Sequence, residues 1–132
     1  MTRPALAPVL GAFALDAALV VVFALIGRRS HAEALDPAGL WRTAWPFLAG
    51  LVLGWLLALG WRRPVAPWPT GTVIWAATLA GGMVLRAASG QGVQLAFVLV
   101  AAGVLALLLV GWRGVAALVV RVKRRAAAMD AP

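Results

Sequence analysis

The sequence predicts an all-α integral membrane protein, a single domain built as a bundle of four transmembrane helices. Hydrophobic residues make up 64% of the 132-residue chain and charged residues only 12%, whereas soluble domains are about 25% charged. A soluble domain of this length lacks the interior to bury so much apolar surface. Lipid is therefore the expected solvent for most of the chain, and the cell membrane is its expected location.

Four apolar runs, separated by polar or proline-rich segments, define the expected helices. They lie at about 5–27, 37–61, 72–88 and 93–112, and a basic tail follows at 113–132. An α-helix rises about 1.5 Å per residue, so about 20 residues cross a hydrocarbon core of about 30 Å. Residues 1–132 are therefore expected to form one membrane domain with a tail outside the lipid.

The first helix carries a single charged residue, Asp16, between Arg3 and Arg28. A carboxylate in the middle of a span costs about 2.5–3.5 kcal/mol on insertion scales, so it needs a partner or a function. A nearby arginine would keep Asp16 ionised. An Asp16 without one would be protonated and hydrogen-bonded to the backbone.

The second helix has a clear start and an internal proline. Asp36 is a good N-cap and Pro37 suits the first helical position, where its missing N–H is not needed. Pro46 lies inside the helix, where it removes the hydrogen bond to the carbonyl of Arg42 and predicts a kink. Gly50 and Gly54, four residues apart, form a small-residue stripe suited to close helix contact.

The last two helices are bounded by short polar segments. A proline-rich loop at 62–71 precedes the third helix, and Arg86 falls in that helix's last turn. Residues 89–92 form a tight polar turn before the fourth helix. Gly60-Trp61-Arg62 recurs as Gly111-Trp112-Arg113, which leaves open whether the four helices form two parallel hairpins.

The distribution of positive residues predicts the orientation. Four spans place both termini on one side of the membrane. That side would carry eight positive residues, Arg3, Arg62, Arg63, Arg113, Arg121, Lys123, Arg124 and Arg125. The other side would carry four, Arg28, Arg29, Arg42 and Arg86. The positive-inside rule therefore predicts cytoplasmic termini. Arg121, Lys123, Arg124 and Arg125 are expected to anchor the tail to anionic lipids of the cytoplasmic face.

Composition argues against several classes of function. The formal charge of +8 lies at the ends of apolar runs, as expected of membrane anchors, so nucleic acid is not an expected partner. The chain has no Cys and one His, which excludes disulfides and a His/Cys metal cluster. No cofactor is expected. No motif for a nucleophile, an acid–base pair or a phosphate loop is present, so the protein is not expected to be an enzyme.

The polar residues within or beside the spans define a candidate site. It comprises Asp16, Arg28, Arg29, His31, Arg86, Ser89 and Gln91. One interpretation is an intramembrane ion pair between Asp16 and an arginine, while Arg28 and Arg29 bind lipid phosphate; the long side chain of Arg86 could approach Asp16 but need not touch it. The other is an outward-facing polar pocket for a small anion, a lipid headgroup or a proton.

The layout resembles an uncharacterised family of small four-helix membrane proteins from high-GC actinobacteria, known only as a domain of unknown function. Four features carry the resemblance, namely Asp16 in the first helix, Gly27-Arg28-Arg29-Ser30-His31, Thr43-Ala44-Trp45-Pro46-Phe47, and Leu85-Arg86-Ala87-Ala88-Ser89-Gly90-Gln91-Gly92. The resemblance implies a four-helix membrane fold and brings no known activity.

Two functions remain open from the sequence. The first is a non-catalytic structural or accessory membrane subunit, which would associate with a second copy or with another membrane protein. The second is a transporter or channel subunit for a small solute or ion, either an anion or proton-linked, that uses a pocket around Asp16 and Arg86.

Overall fold

The computed structural model describes residues 6–30 and 32–130, and within them the chain is all-α with four helices. Helix α1 spans Leu6–Ser30, α2 spans Pro37–Ala58, α3 spans Thr72–Ala88 and α4 spans Leu95–Asp130. All four are long and apolar enough to cross a membrane when α3 is taken with the preceding turn, Pro67–Gly71. The predicted all-α class and the number of helices are therefore confirmed.

Helix α2 starts as predicted and ends earlier than expected. The carboxylate of Asp36 accepts a hydrogen bond from the N–H of Gly39 at 3.1 Å, and Pro37 is the first helical residue. The helix ends at Ala58 because Leu59 adopts a left-handed conformation (φ 50°, ψ 52°). Such a residue caps the carbonyls of the last turn. The predicted end at 61 is therefore three residues too late.

Helix α4 is longer than the predicted span. It continues without a break through the segment predicted as a tail and ends at Asp130. A π-helical turn, Ala106–Val110, lies in its middle. Gly111-Trp112-Arg113 is therefore helical, whereas Gly60-Trp61-Arg62 lies in a turn. The two segments that suggested a pair of repeated hairpins thus have different local structures.

The helices pack in cyclic order. Helices α2 and α3 form the most extensive pair, α1 packs on α2, and α4 packs on both α3 and α1. This order places the α1–α2 and α3–α4 connections at one end of the bundle, called here the two-loop end. The α2–α3 loop lies at the opposite, single-loop end. The core between them consists of fully buried side chains, including Val20, Phe47, Leu51, Ile74, Leu105 and Leu109.

Glycines allow α2 and α3 to approach closely. A Cβ added at Gly50 would lie 2.9 Å from the carbonyl oxygen of Thr78, and one at Gly54 would lie 2.9 Å from Cα of Ile74. The backbones therefore meet without intervening side chains, which is the contact that the small-residue stripe predicted. Helix α2 is continuous through the buried Pro46, and the kink expected there stays a prediction.

We expect Gly50→Ala and Gly54→Ala each to lower stability by about 1–3 kcal/mol, because the added methyl groups would push two helix backbones apart. The measurement is thermal unfolding of the purified protein in detergent. Gly103→Ala on α4 is the matched control, since a Cβ there meets nothing within 4 Å. Equal loss in all three variants would contradict this account of the α2–α3 contact.

Candidate functional site

Asp16 lies fully buried in α1 and accepts four hydrogen bonds from three side chains. Its Oδ1 accepts from Trp112 Nε1 at 2.8 Å and from Arg113 at 2.9 Å. Its Oδ2 accepts from Trp55 Nε1 at 2.9 Å and from Arg113 at 2.6 Å. The guanidinium carbon also lies 4.6 Å from the centre of the Trp112 ring. The result is a two-pronged arginine–carboxylate pair with indole donors on both oxygens.

Arg113 is fully buried, and each of its side-chain nitrogens has an acceptor. Its Nε donates to the carbonyl of Pro64 in the α2–α3 loop at 2.9 Å, and Nη1 also donates to the carbonyl of Leu109 at 2.8 Å. A Cβ at Gly71 would lie 2.9 Å from Cδ of Arg113, so only glycine leaves room for the side chain. The charged network therefore ties α1 to α4 and to the single-loop end.

The π-helical turn keeps Arg113 on the buried face of α4. The buried positions of this helix recur every four residues, at Ala101, Leu105, Leu109 and Arg113. In a regular α-helix each step of four residues moves a position by about 40° around the axis. A π-helical turn holds more residues than an α-helical one, so Ala106–Val110 offsets this drift. Arg113 consequently faces Asp16 instead of lipid.

The structure corrects the predicted partner of Asp16. The ion pair is with Arg113, at 2.6 Å, and not with Arg86, the arginine predicted to lie within reach of Asp16. Arg86 lies at the two-loop end, where its guanidinium binds the carbonyl of Gly92 and the side chain of Gln91. Because α3 and α4 run antiparallel, the end of α3 lies far along the bundle from the part of α4 that meets Asp16.

Sequence reasoning missed Arg113, Trp55 and Trp112, although one signal pointed to the arginine. Arg113 is followed by seven uncharged residues, 114–120, so it interrupts a long apolar run in the same way that Asp16 interrupts the first run. Two single charges of opposite sign inside apolar runs are expected to pair. Nothing in the sequence identified the two tryptophans as donors to the carboxylate.

A second polar region lies at the two-loop end as a cavity of about 710 Å³. Its wall is formed by residues of all four helices, near their ends, and by both connections. The polar side chains that line it are Arg28, Glu33, Arg42, Thr43, Arg86, Gln91 and Gln94. Three guanidinium groups thus surround one space that contains a single lining carboxylate.

Pro46 affects the cavity wall through the carbonyl of Arg42, which lies one helical turn before it. A proline has no N–H, so the carbonyl of Arg42 loses its usual helical donor. That carbonyl accepts instead from Nε2 of Gln91 at 3.0 Å. Nε2 of Gln91 also lies 3.3 Å from the hydroxyl of Ser89. The missing helical hydrogen bond of α2 therefore becomes a link to the α3–α4 connection.

The cavity is closed below by aromatic side chains. Phe23 and Phe97 line it, and the fully buried Phe47 lies against both, with ring centres 5.0 Å and 6.3 Å away respectively. The apolar core continues beneath these rings. The cavity and the Asp16 network are therefore two separate polar regions, at opposite ends of an apolar bundle.

The predicted site residues divide between these regions and the remaining surface. Arg28, Arg86 and Gln91 line the cavity, and Ser89 lies beside it. Arg29 is exposed and is not part of the cavity wall. His31 lies outside the described residues. The tail residues Arg121, Lys123, Arg124 and Arg125 are exposed on the extension of α4, and their role in lipid binding stays a prediction.

Comparison with known proteins assigns a family. The profile of the family described as "Protein of unknown function (DUF3054)" matches residues 13–116, which include Asp16, Arg113 and the whole cavity wall. The chain belongs to the DUF3054 family. This confirms the resemblance to a family of unknown function, while the actinobacterial origin stays a prediction. The match spans all four helices but not the basic part of α4 beyond residue 116. No curated protein and no solved structure matches this DUF3054 chain.

We expect Asp16→Asn and Arg113→Gln each to lower the free energy of unfolding by about 3–5 kcal/mol, since either change leaves a buried polar group without its counter-charge. The double variant should lose much less than the sum, because the two residues act as one pair. Thermal unfolding in detergent measures this cycle. The control cycle combines Asp16→Asn with Arg86→Gln, whose effects should add. Additive losses for Asp16 and Arg113 would contradict the pairing.

Proposed function

We propose that this chain is an integral membrane protein with both termini in the cytoplasm, and that it works as a non-catalytic structural or accessory component. The observation that carries the proposal is the saturation of Asp16. Both of its oxygens accept two hydrogen bonds within a fully buried network. The acidic residue that most suggested chemistry is therefore fully engaged in holding the bundle together.

A catalytic or proton-coupling carboxylate needs contact with substrate or water. Such a residue exchanges a proton during its cycle, so at least one oxygen must be reachable. Asp16 has no exposed surface, and the neighbouring Arg113 has none. Opening this pair would require separating α1 from α4. These contacts favour a structural role over acid–base work.

The free positive charges support the proposed orientation. Arg113 is removed from the surface by its partner, but the remaining seven positive residues assigned to the tail side still outnumber the four on the other side. The excess of Lys and Arg residues on the tail side is therefore retained.

Transport of a small anion or a proton-linked solute is the alternative function. The polar cavity between Arg28 and Arg86 favours it, because a transporter needs a polar site that a solute can enter. The closed layer formed by Phe23, Phe47 and Phe97 weighs against it. A solute in the cavity would meet this apolar core, and residues 6–30 and 32–130 of one copy offer no polar route past it.

The non-catalytic function predicts that the protein conducts no protons. Proteoliposomes loaded with a pH-sensitive dye should show the same proton leak as protein-free liposomes after a pH jump. Asp16→Asn proteoliposomes serve as the matched control. A leak in the parent that Asp16→Asn abolishes would overturn the structural role of Asp16 and favour the transport alternative.

The proposed orientation predicts the labelling of single cysteines. The natural chain has no Cys, so each introduced thiol reports one position. Ser30→Cys at the two-loop end should react with a membrane-impermeant maleimide added to intact cells. Val65→Cys and Met129→Cys, at the other end, should react only after the cells are opened. The reverse pattern would contradict cytoplasmic termini.

A further inference from the structure

The cavity at the two-loop end carries an excess of positive charge. Its wall contains Arg28, Arg42 and Arg86 against one carboxylate, Glu33, and Asp36 beside Arg28 brings the local formal charge to +1 (three minus two). Glu33 lies 3.0 Å from Arg28, and Asp36 lies 3.9 Å from the same guanidinium. Both nearby carboxylates thus serve one arginine. Within residues 6–30 and 32–130, the other two arginines have no carboxylate partner.

Two of these arginines are held in place by neutral acceptors. Arg28 donates to the carbonyl of Ala34 at 2.6 Å and to the hydroxyl of Thr43 at 3.0 Å. Arg86 donates to Gly92 and Gln91, and its guanidinium carbon lies 4.4 Å from the centre of the Phe97 ring. A carbonyl oxygen orients a guanidinium without cancelling its charge. The positive groups are therefore positioned before any ligand binds.

The unused hydrogen-bond donors of the cavity wall indicate which class of ligand it would bind. A guanidinium has five N–H groups, and Arg86 uses three of them. The side chain of Arg42 is exposed and makes no hydrogen bond within the part of the chain that the structure describes. The amide of Gln94 also lines the space. Such a set of spare donors around excess positive charge suits an oxyanion with several acceptor oxygens.

We propose that this cavity binds a phosphate group, carried either by free phosphate or by the headgroup of a phospholipid. A phosphate monoester has a charge of about −1.5 to −2 at pH 7, opposite in sign to the excess positive charge around the cavity. Guanidinium groups also bind phosphate oxygens in pairs. A cavity of about 710 Å³ is large enough for a phosphate with part of its ester.

Arg42 is the residue that distinguishes a ligand site from a structural cluster. Arg28 and Arg86 hold the connections of the bundle, so replacing either would disturb the fold as well as the charge. The side chain of Arg42 holds nothing in the described structure, whereas its charge contributes to the cavity. Arg42→Gln therefore removes one positive group while the wall remains in place.

The test measures the thermal stability of the full chain in detergent as two ligands are added separately. One is inorganic phosphate at constant ionic strength, and the other is phosphatidic acid in mixed micelles, with diacylglycerol as the lipid control that lacks phosphate. We expect saturable stabilisation of the parent and an affinity about tenfold weaker in Arg42→Gln. The matched control, Arg29→Gln, removes a charge at the same end but outside the cavity, and should bind as the parent does.

The outcomes distinguish free phosphate from a lipid headgroup as the ligand, and both of these from a cavity that binds neither. Stabilisation by inorganic phosphate that depends on Arg42 identifies a site for the free anion. Stabilisation by phosphatidic acid alone, again dependent on Arg42, identifies a lipid headgroup site. No stabilisation by either ligand overturns the proposal. Equal weakening in Arg42→Gln and Arg29→Gln overturns it as well, because binding would then follow surface charge. None of these results depends on the role of Asp16.

Discussion

An ionised carboxylate inside an apolar helix bundle requires a counter-charge, and several features of this fold serve that requirement for Asp16. The π-helical turn of α4 keeps Arg113 on the buried face, Gly71 leaves room for its side chain, and the α2–α3 loop supplies the carbonyl of Pro64. Trp55 and Trp112 donate to the two carboxylate oxygens. One buried pair thus fixes the relation between the first and last helices, which are distant in sequence.

The two polar regions satisfy their charges in different ways. At the single-loop end, opposite charges and indole donors saturate each other inside the bundle. At the two-loop end, Arg28 pairs with Glu33 and Asp36, whereas Arg86 is oriented by carbonyl and amide oxygens that leave its charge uncompensated. The first arrangement is complete without any other molecule, whereas the second leaves donors that an anion would satisfy. The side chains of Phe23, Phe47 and Phe97 pack together between the two regions.

The sequence predicted the helices well because apolar runs of membrane length have few alternative structures. The N-cap at Asp36 and the α2–α3 contact at Gly50 and Gly54 were also within reach, since both depend on local spacing. The partner of Asp16 could not be predicted from the sequence, because it depends on how four helices are arranged and on a π-helical turn that no sequence pattern marks. The ends of α2 and α4 were misjudged for a related reason. Both predicted ends fall at a Trp of the repeated Gly-Trp-Arg segment, yet one segment lies in a turn and the other continues α4.

The length of α4 has a mechanical consequence. Its 36 residues extend over about 54 Å, which is well beyond a hydrocarbon core of about 30 Å. From Gly111 to Asp130 the helix is regular, with no proline and no further π-helical turn. The exposed basic segment and Arg113 therefore belong to one rigid rod. A displacement of the far end of this helix would therefore act on the pair that joins α1 and α4.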